Sequence, residues 1–251
     1  MNFFIDIATL TTVSTFFYVI LLLILFVFWR QNKDLDSILW WCGFPLFFIV
    51  NNVISSYAVQ YDSKILIYIG NLSIILSEIC IMVGCLKFVK LRVRWPLIYL
   101  LLFLFFILSS YLFSIDAGLE QRLKLVVLFD SMSIIISLYA VSLLSNKIYN
   151  IEKYFMMFWI AFQLTIFTFW FMINFELNNL DFGKSVTLSV ALIYLSHFFM
   201  TLGLIMLTIA RRREQLITET IKHKELEKSL EFTLVEAQKA NTEKSSFLKN
   251  M

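Results

Sequence analysis

Long apolar runs alternate with short charged clusters over the first 210 residues, and this alternation constrains the fold more than any other feature. A transmembrane helix needs about 20 mostly apolar residues, and seven runs have this length. Hydrophobic residues make up 60% of the chain and charged residues 16%, whereas a soluble domain has about 45–50% and about 25%. We therefore predict an all-α membrane protein whose first domain, residues 1–210, contains seven transmembrane helices. The predicted spans are residues 7–29, 38–59, 65–86, 95–114, 125–145, 154–173 and 186–210.

Lysine and arginine residues between the spans predict how the chain is oriented. Cytoplasmic loops of membrane proteins carry an excess of these two residues. Alternate loops here fall into one set with eleven Lys and Arg residues and another set with four. We therefore predict that the N-terminus lies outside and the C-terminus in the cytoplasm. The eleven are Arg30, Lys33, Lys87, Lys90, Arg92, Arg94, Lys147, Lys153, Arg211, Arg212 and Arg213, and the four are Lys64, Arg122, Lys124 and Lys184.

The composition changes abruptly at Arg211. Residues 211–251 contain no proline or glycine and are rich in Glu, Lys, Leu and Ala, which favour helices. One set of positions follows alternating four- and three-residue steps, as in a heptad seam, whereas Leu216, Ile217 and Ile221 fall outside this register. We predict a long cytoplasmic helix that continues from the seventh span and forms a parallel, homodimeric coiled coil, because a narrow apolar stripe is unstable alone in water. A single solvated helix is the alternative. The seam positions are Leu226, Leu230, Thr233, Ala237, Ala240, Lys244, Phe247 and Met251.

The last fifteen residues, AQKANTEKSSFLKNM, carry a family resemblance. This segment resembles the start of the dimerisation and phosphoacceptor helix of bacterial sensor histidine kinases. The part in front of it, with the Trp40–Trp41 pair and the basic exit Arg211–Arg213, is similar to membrane sensor modules that precede kinases and diguanylate cyclases. The positions that match the kinase segment are Ala240, Asn241, Lys244, Ser245, Phe247, Leu248, Asn250 and Met251.

The resemblance implies that the chain is the signal-sensing and transmission region of a two-component sensor histidine kinase in the inner membrane of a bacterium. The phosphoacceptor histidine would follow residue 251, and a kinase domain beyond it would use ATP and Mg²⁺. Implied partners are a second copy of the chain, the lipid bilayer, a small hydrophobic signal molecule and a cognate response regulator. Within the chain itself we expect no catalytic residue, cofactor, metal or nucleic acid, because the six glycines form no G-x-G-x-x-G loop and His223 lacks a phosphorylation-box context.

Polar side chains within the predicted spans are the candidate ligand or switch residues, because ionisable groups are costly in lipid and commonly mark function. Counting about 1.5 Å per residue places Asp130 about 8 Å below the outer edge. We expect Glu78 and His197 to lie deeper, where they could share a proton or a hydrogen bond. Of three asparagines, Asn71 lies at a depth similar to that of Asp130 and the other two lie about 10–12 Å from the outside, so the four side chains could line one outward-facing polar pocket. Alternatively, the asparagines and Gln163 hydrogen-bond neighbouring helices. The three asparagines are Asn51, Asn52 and Asn71.

Other seven-helix functions fit the residues less well. A retinal protein needs a lysine in its last span, and residues 186–210 contain none. A membrane haem needs paired axial ligands, and His197 is the one histidine within the spans. A small membrane transporter is the main alternative, although the sequence shows no clear internal repeat or Gly/Pro-broken helix near mid-membrane. A free-standing membrane accessory protein is a further alternative.

Overall fold

The computed structural model describes residues 7–61, 63–115, 119–176 and 182–249. Throughout these ranges the chain forms helices and no strands, which confirms the all-α prediction and the number of seven helices. The helices are α1 (Ile7–Gln31), α2 (Asp36–Tyr61), α3 (Lys64–Phe88), α4 (Trp95–Ser114), α5 (Leu119–Ser142), α6 (Asn146–Glu176) and α7 (Phe182–Lys249).

Six of the helices, α1 to α5 and α7, are long and apolar enough to cross a membrane within the described part of the chain. For α6, the predicted span 154–173 extends beyond Phe169, and the side chains of residues 170–190 are not described. Large apolar side chains lie exposed on the outer faces of the helices, among them Phe16, Phe103 and Phe158. A lipid environment accounts for this exposure, because soluble proteins rarely expose large contiguous apolar patches.

Five helices begin earlier than the predicted spans, and for α5 and α6 the difference is largest. The fifth span was predicted from residue 125, whereas α5 begins at Leu119, and the sixth was predicted from residue 154, whereas α6 begins at Asn146. Most of the added residues are polar, and hydropathy therefore omits them although they belong to the helices. The backbone of α6 is kinked at Tyr149, where φ is −115° and ψ is 28°. Lys153, predicted as a loop charge, lies within α6 and donates from Nζ to the carbonyl oxygen of Leu144 at 2.9 Å and to Asn146 Oδ1 at 2.8 Å.

The chain divides into two compact units, residues 1–206 and 207–251. In the first unit, α3 packs against both α2 and α5, while α1 packs against α2 and α6 against α5. Glycines allow the close approach of α2 and α3, because a Cβ atom on Gly84 would collide with the Trp41 ring and one on Gly43 would lie 2.6 Å from Cys80 Sγ. Ser77 Oγ adds a hydrogen bond to the carbonyl oxygen of Phe44 at 3.1 Å.

An apolar core fills the space between α3, α4 and α5. Phe105 of α4 and Phe129 of α5 meet edge to face, with ring centroids 5.3 Å apart. Only one narrow face of α4 is buried, at Ile98, Phe105 and Ser109, so most of its side chains face outward. The core side chains are Ile75, Ile79, Met82, Val83, Ile98, Phe105, Val126 and Phe129.

The second unit comprises residues 207–251 and is helical through residue 249, where its described part ends. Its basic start is paired within the segment, since Arg211 Nη1 lies 3.0 Å from Glu214 Oε2 and Arg212 Nη1 donates to Gln215 Oε1 at 3.1 Å. Its apolar side chains, including Leu226 and Leu230, are exposed. The helix is therefore observed as predicted, whereas its pairing into a coiled coil stays a prediction.

Candidate functional site

Two of the sequence-predicted residues, Glu78 and His197, meet in the interior of the first unit. Glu78 lies near the middle of α3 and His197 lies on α7, and Glu78 Oε1 is 3.3 Å from His197 Nε2. Both side chains are almost completely shielded, with 2% and 0% of their surface exposed. The two residues therefore share one site, as their similar depth in the predicted spans suggested.

Two further side chains complete what we call the buried polar cluster: Tyr18, Glu78, Gln163 and His197. The Gln163 amide of α6 donates from Nε2 to Glu78 Oε1 at 3.0 Å, and the same atom lies 2.9 Å from His197 Nε2. On the other side of the imidazole, Tyr18 Oη of α1 lies 2.7 Å from Nδ1. Both ring nitrogens of His197 thus have a partner, and one cluster joins four helices.

Aromatic rings surround the imidazole of His197 and exclude water from it. The rings of Phe44 and Phe48, both on α2, lie 4.9 Å and 4.6 Å from it. Phe48 also stacks on Tyr18 at 4.9 Å. Hydrogen bonds and charges in such an apolar surrounding act more strongly on one another than they would in water, so the protonation of one cluster member affects the others.

Asp130 belongs to the electrostatic surroundings of the buried polar cluster. Its side chain lies on α5 and is 2% exposed, and the charge of Glu78 acts on it. Its Oδ1 atom is buried without a hydrogen-bond partner, as is Oε1 of Gln163. Unsatisfied buried polar atoms are rare and call for an explanation; here they lie on residues beside or within a cluster that can change its protonation.

The three asparagines have different surroundings from Asp130. Asn52 is buried and donates from Nδ2 to the hydroxyls of Ser14 and Thr15 on α1, at 3.0 Å each. Asn51 Oδ1 accepts from Ser55 Oγ at 3.2 Å within α2, and Asn71 is half-buried on α3. These contacts are of the kind expected for hydrogen bonding within and between helices.

A cavity of about 340 Å³ lies between α1 and α2 where Asn52 is located. It is an open groove at the surface of the two helices and not an enclosed pocket. The cavity wall is close to the buried polar cluster. Asn52 donates to Ser14, Ser14 interacts with the side chain of Tyr194, and the ring of Tyr194 lies 5.8 Å from that of Tyr18. The cavity is lined by Thr11, Thr12, Thr15, Phe16, Val19, Asn52, Val53 and Ser56.

Sequence reasoning did not identify Tyr18 as a site residue, and it treated Gln163 as a structural hydrogen-bonding residue. A single tyrosine in an apolar span most often anchors a helix near the lipid surface, so nothing in the local pattern of α1 marks Tyr18. A glutamine inside a span is a stronger signal, because two amide atoms need partners where water is absent. Gln163 was visible on this ground, but its partners were not.

The four side chains of the buried polar cluster are hydrogen-bonding groups, and two of them are ionisable through a carboxyl or an imidazole. Among the described residues, no three His, Cys, Asp or Glu side chains are grouped so as to hold a metal ion. Glu78 contributes a carboxyl and His197 an imidazole, and Tyr18 and Gln163 can each donate or accept a hydrogen bond. Compared with protein-family models, with curated proteins and with solved structures, the chain matches none.

Proposed function

We propose that the chain is the membrane-embedded signal-sensing and transmission region of a bacterial sensor histidine kinase. The observation that carries the proposal is that α7, Phe182–Lys249, contains both His197 and most of the segment that resembles the kinase phosphoacceptor helix. A stimulus that alters the hydrogen bonds of His197 acts on the same helix that would enter the kinase. The chain would lie in the inner membrane, with its C-terminus in the cytoplasm and a response regulator downstream.

The buried polar cluster supports an input role for the bundle. Polar contacts between transmembrane helices contribute about 0.6–2 kcal/mol each, so their rearrangement is large enough to shift a two-state equilibrium by several-fold. Such a shift transmits a signal only when the stimulus binds the two states with different affinity. The cluster supplies contacts that can differ between two states, because each of its four members lies on a different helix.

The proposed second copy would pair through the seam of the segment 207–251. Leu226 and Leu230 are exposed there, and a partner helix would bury them. A cysteine at Leu230 should give a disulfide-linked dimer in oxidised membranes. A cysteine at Lys228, about 200° around the helix from Leu226, is the matched control and should give little. Equal cross-linking at both positions would contradict a specific seam.

A kinase fusion tests the proposal as a whole. Residues 1–251 are joined, in the heptad register, to the phosphoacceptor and ATP-binding domains of a characterised sensor kinase, and autophosphorylation is measured in lipid vesicles. We expect Glu78→Gln and Asp130→Asn to change the phosphorylation level several-fold. Tyr139→Phe, on the exposed face of α5, is the control and should leave it unchanged. Identical phosphorylation in all of these proteins would reject the sensor function.

A further inference from the structure

We infer that the buried polar cluster is a binding site for a single proton, and that proton uptake by Glu78 reverses the hydrogen bonds that join α3, α6, α7 and α1. The inference deepens the proposed function, since it identifies the proton as the ligand of the same site. That the proton is also the stimulus rests on the proposed function, whereas proton binding does not.

The argument begins with three atoms that are mutually close. Glu78 Oε1, the Gln163 amide atom and His197 Nε2 are separated by 3.0 Å, 2.9 Å and 3.3 Å. The two shorter distances both involve the amide of Gln163. Each is a hydrogen bond only if one atom donates and the other accepts, so the orientation of this amide dictates the protonation of both of its neighbours.

One orientation places the amide nitrogen between the neighbours, as in the structure. Its two N–H groups then donate to Glu78 Oε1 and to His197 Nε2. Glu78 is an ionised acceptor in this state, and His197 must have a lone pair on Nε2. The single ring proton of the neutral imidazole is therefore on Nδ1, where it is donated to Tyr18 Oη at 2.7 Å.

The reversed orientation places the amide oxygen of Gln163 between the same neighbours. This oxygen accepts two hydrogen bonds, so Glu78 must be protonated and His197 must carry its ring proton on Nε2. Nδ1 then has the lone pair, and the Tyr18 hydroxyl donates to it. The net change is one proton added to a Glu78 oxygen, while His197 keeps one ring proton and Tyr18 keeps its hydroxyl proton.

A charged pair of carboxylate and imidazolium would keep the 3.3 Å contact between Glu78 Oε1 and His197 Nε2 but would lose one hydrogen bond of Gln163 in either orientation. With the amide nitrogen of Gln163 in the centre, an N–H group on His197 Nε2 would face another N–H group at 2.9 Å. With the amide oxygen in the centre, an ionised Glu78 would face a second oxygen at 3.0 Å. Gln163 thus disfavours the charged pair and couples the tautomer of His197 to the proton on Glu78.

Among the described residues, four other ionisable groups lie near the cluster. Asp130 of α5 interacts electrostatically with Glu78 and is the other carboxyl that could take up the proton. Tyr194 of α7 and Cys80 and Cys85 of α3 also lie within electrostatic reach of cluster members, but thiols and phenols ordinarily titrate above pH 8. From α2, the contacts with His197 are the rings of Phe44 and Phe48.

The tautomer of His197 can be measured directly, because the chain contains only two histidines. A His223→Gln variant leaves His197 as the one imidazole, and His223 lies on the exposed helical segment outside the cluster. The full chain is labelled with ¹⁵N-histidine in lipid vesicles and studied by solid-state NMR between about pH 4 and pH 9, which brackets ordinary carboxyl and imidazole titration. We expect the ring proton on Nδ1 at high pH and on Nε2 at low pH, without imidazolium.

Three variants test the assignment of roles. Glu78→Gln should give a tautomer ratio that does not depend on pH, and Asp130→Asn should retain the switch. In Gln163→Met the amide is absent, so the pair of Glu78 carboxylate and His197 imidazolium no longer loses a hydrogen bond. We therefore expect a doubly protonated His197 ring in this variant. If Gln163→Met does not fold, the other two variants decide the question. The inference would be overturned if the His223→Gln protein showed one tautomer at every pH or showed imidazolium. It would also be overturned if the tautomer switch survived in Glu78→Gln or was lost in Asp130→Asn.

This measurement fails separately from the proposed function, because it needs no kinase. If the His197 tautomer does not change with pH but the kinase fusion responds to Glu78→Gln, the proton site is wrong and the sensor function stands. If the tautomer changes with pH but the phosphorylation level of the kinase fusion is the same in every cluster variant, the proton site stands and the sensor function is wrong.

Discussion

Tyr18 Oη and His197 Nδ1 lie 2.7 Å apart although 179 positions separate the two residues in the chain. The contact joins α1 to the last helix that contributes to the first unit, and both side chains are shielded from solvent. A buried hydrogen bond of this kind needs both partners, since the remaining group loses its partner when the other is removed. The contact therefore fixes the position of α1 relative to the cluster side of α7.

The first prediction concerns this contact. Tyr18→Phe keeps the ring that stacks on Phe48 but removes the hydroxyl, so one nitrogen of His197 loses its partner. We expect a loss of about 1–2 kcal/mol in the free energy of unfolding, measured by reversible denaturation in mixed detergent micelles. Tyr139→Phe, whose ring is 60% exposed, is the matched control and should change stability by less than about 0.5 kcal/mol. Equal effects of the two substitutions would show that the contact does not stabilise the bundle.

Sequence reasoning could identify the spans because lipid imposes a length and a composition on each helix separately. It could also place Glu78 and His197 at a common depth, because the rise along a helix is constant. It could not identify Tyr18, because membership in the cluster depends on how far each helix is rotated about its axis. That rotation is determined by packing among several helices, and no single span contains the information.

Asn52 illustrates the same limit. Its depth was compatible with a pocket shared with Asp130, but depth does not say which side of the helix a residue occupies. In the structure Asn52 faces α1, where it bonds Ser14 and Thr15, while Asp130 lies on α5 within the electrostatic range of Glu78. Residues at one level of a bundle can therefore belong to different sites.

The second prediction concerns the close contact of α2 and α3. Gly84→Ala should destabilise the first unit by about 1–3 kcal/mol, the usual cost of overpacking, because the new methyl group would collide with the Trp41 ring. Gly70→Ala is the control on the same helix, since its methyl group would lie 3.2 Å from Asn51 Oδ1 and 3.3 Å from Ser55 Oγ, and both are side-chain atoms that can shift. Thermal unfolding of the two variants in one detergent provides the comparison, and a smaller loss for Gly84→Ala than for Gly70→Ala would contradict the packing argument.

The third prediction concerns the connection between α5 and α6. Lys153→Met should lower the free energy of unfolding by about 1–3 kcal/mol, because the Leu144 carbonyl and Asn146 lose a charged donor. Hydrogen exchange should rise around residues 143–150. Lys33→Met is the control, since Lys33 is exposed and its replacement removes the same charge from the same predicted set of loops. Comparable exchange in both variants would mean that Lys153 acts through its charge alone and not through the two hydrogen bonds.

The last prediction concerns how the segment 207–251 transmits a change. Deleting one residue between Thr218 and Lys228 rotates everything that follows by about 100° relative to what precedes it. If the helix transmits rotation or register, the phosphorylation level of the kinase fusion must depend on the angle by which the deletion rotates the downstream helix. It must not depend on the number of residues removed. Deletions of one and two residues should therefore shift the output strongly, in different amounts.

A deletion of one full heptad within the same range is the matched control. It removes more residues than either of the others but returns the seam to nearly its original direction, because about seven residues complete two helical turns. We expect it to restore the output of the parent fusion to within about twofold, which corresponds to about 0.4 kcal/mol. An output that declines steadily with the number of residues removed would show that length and not helical phase matters, and would exclude transmission through a continuous helix.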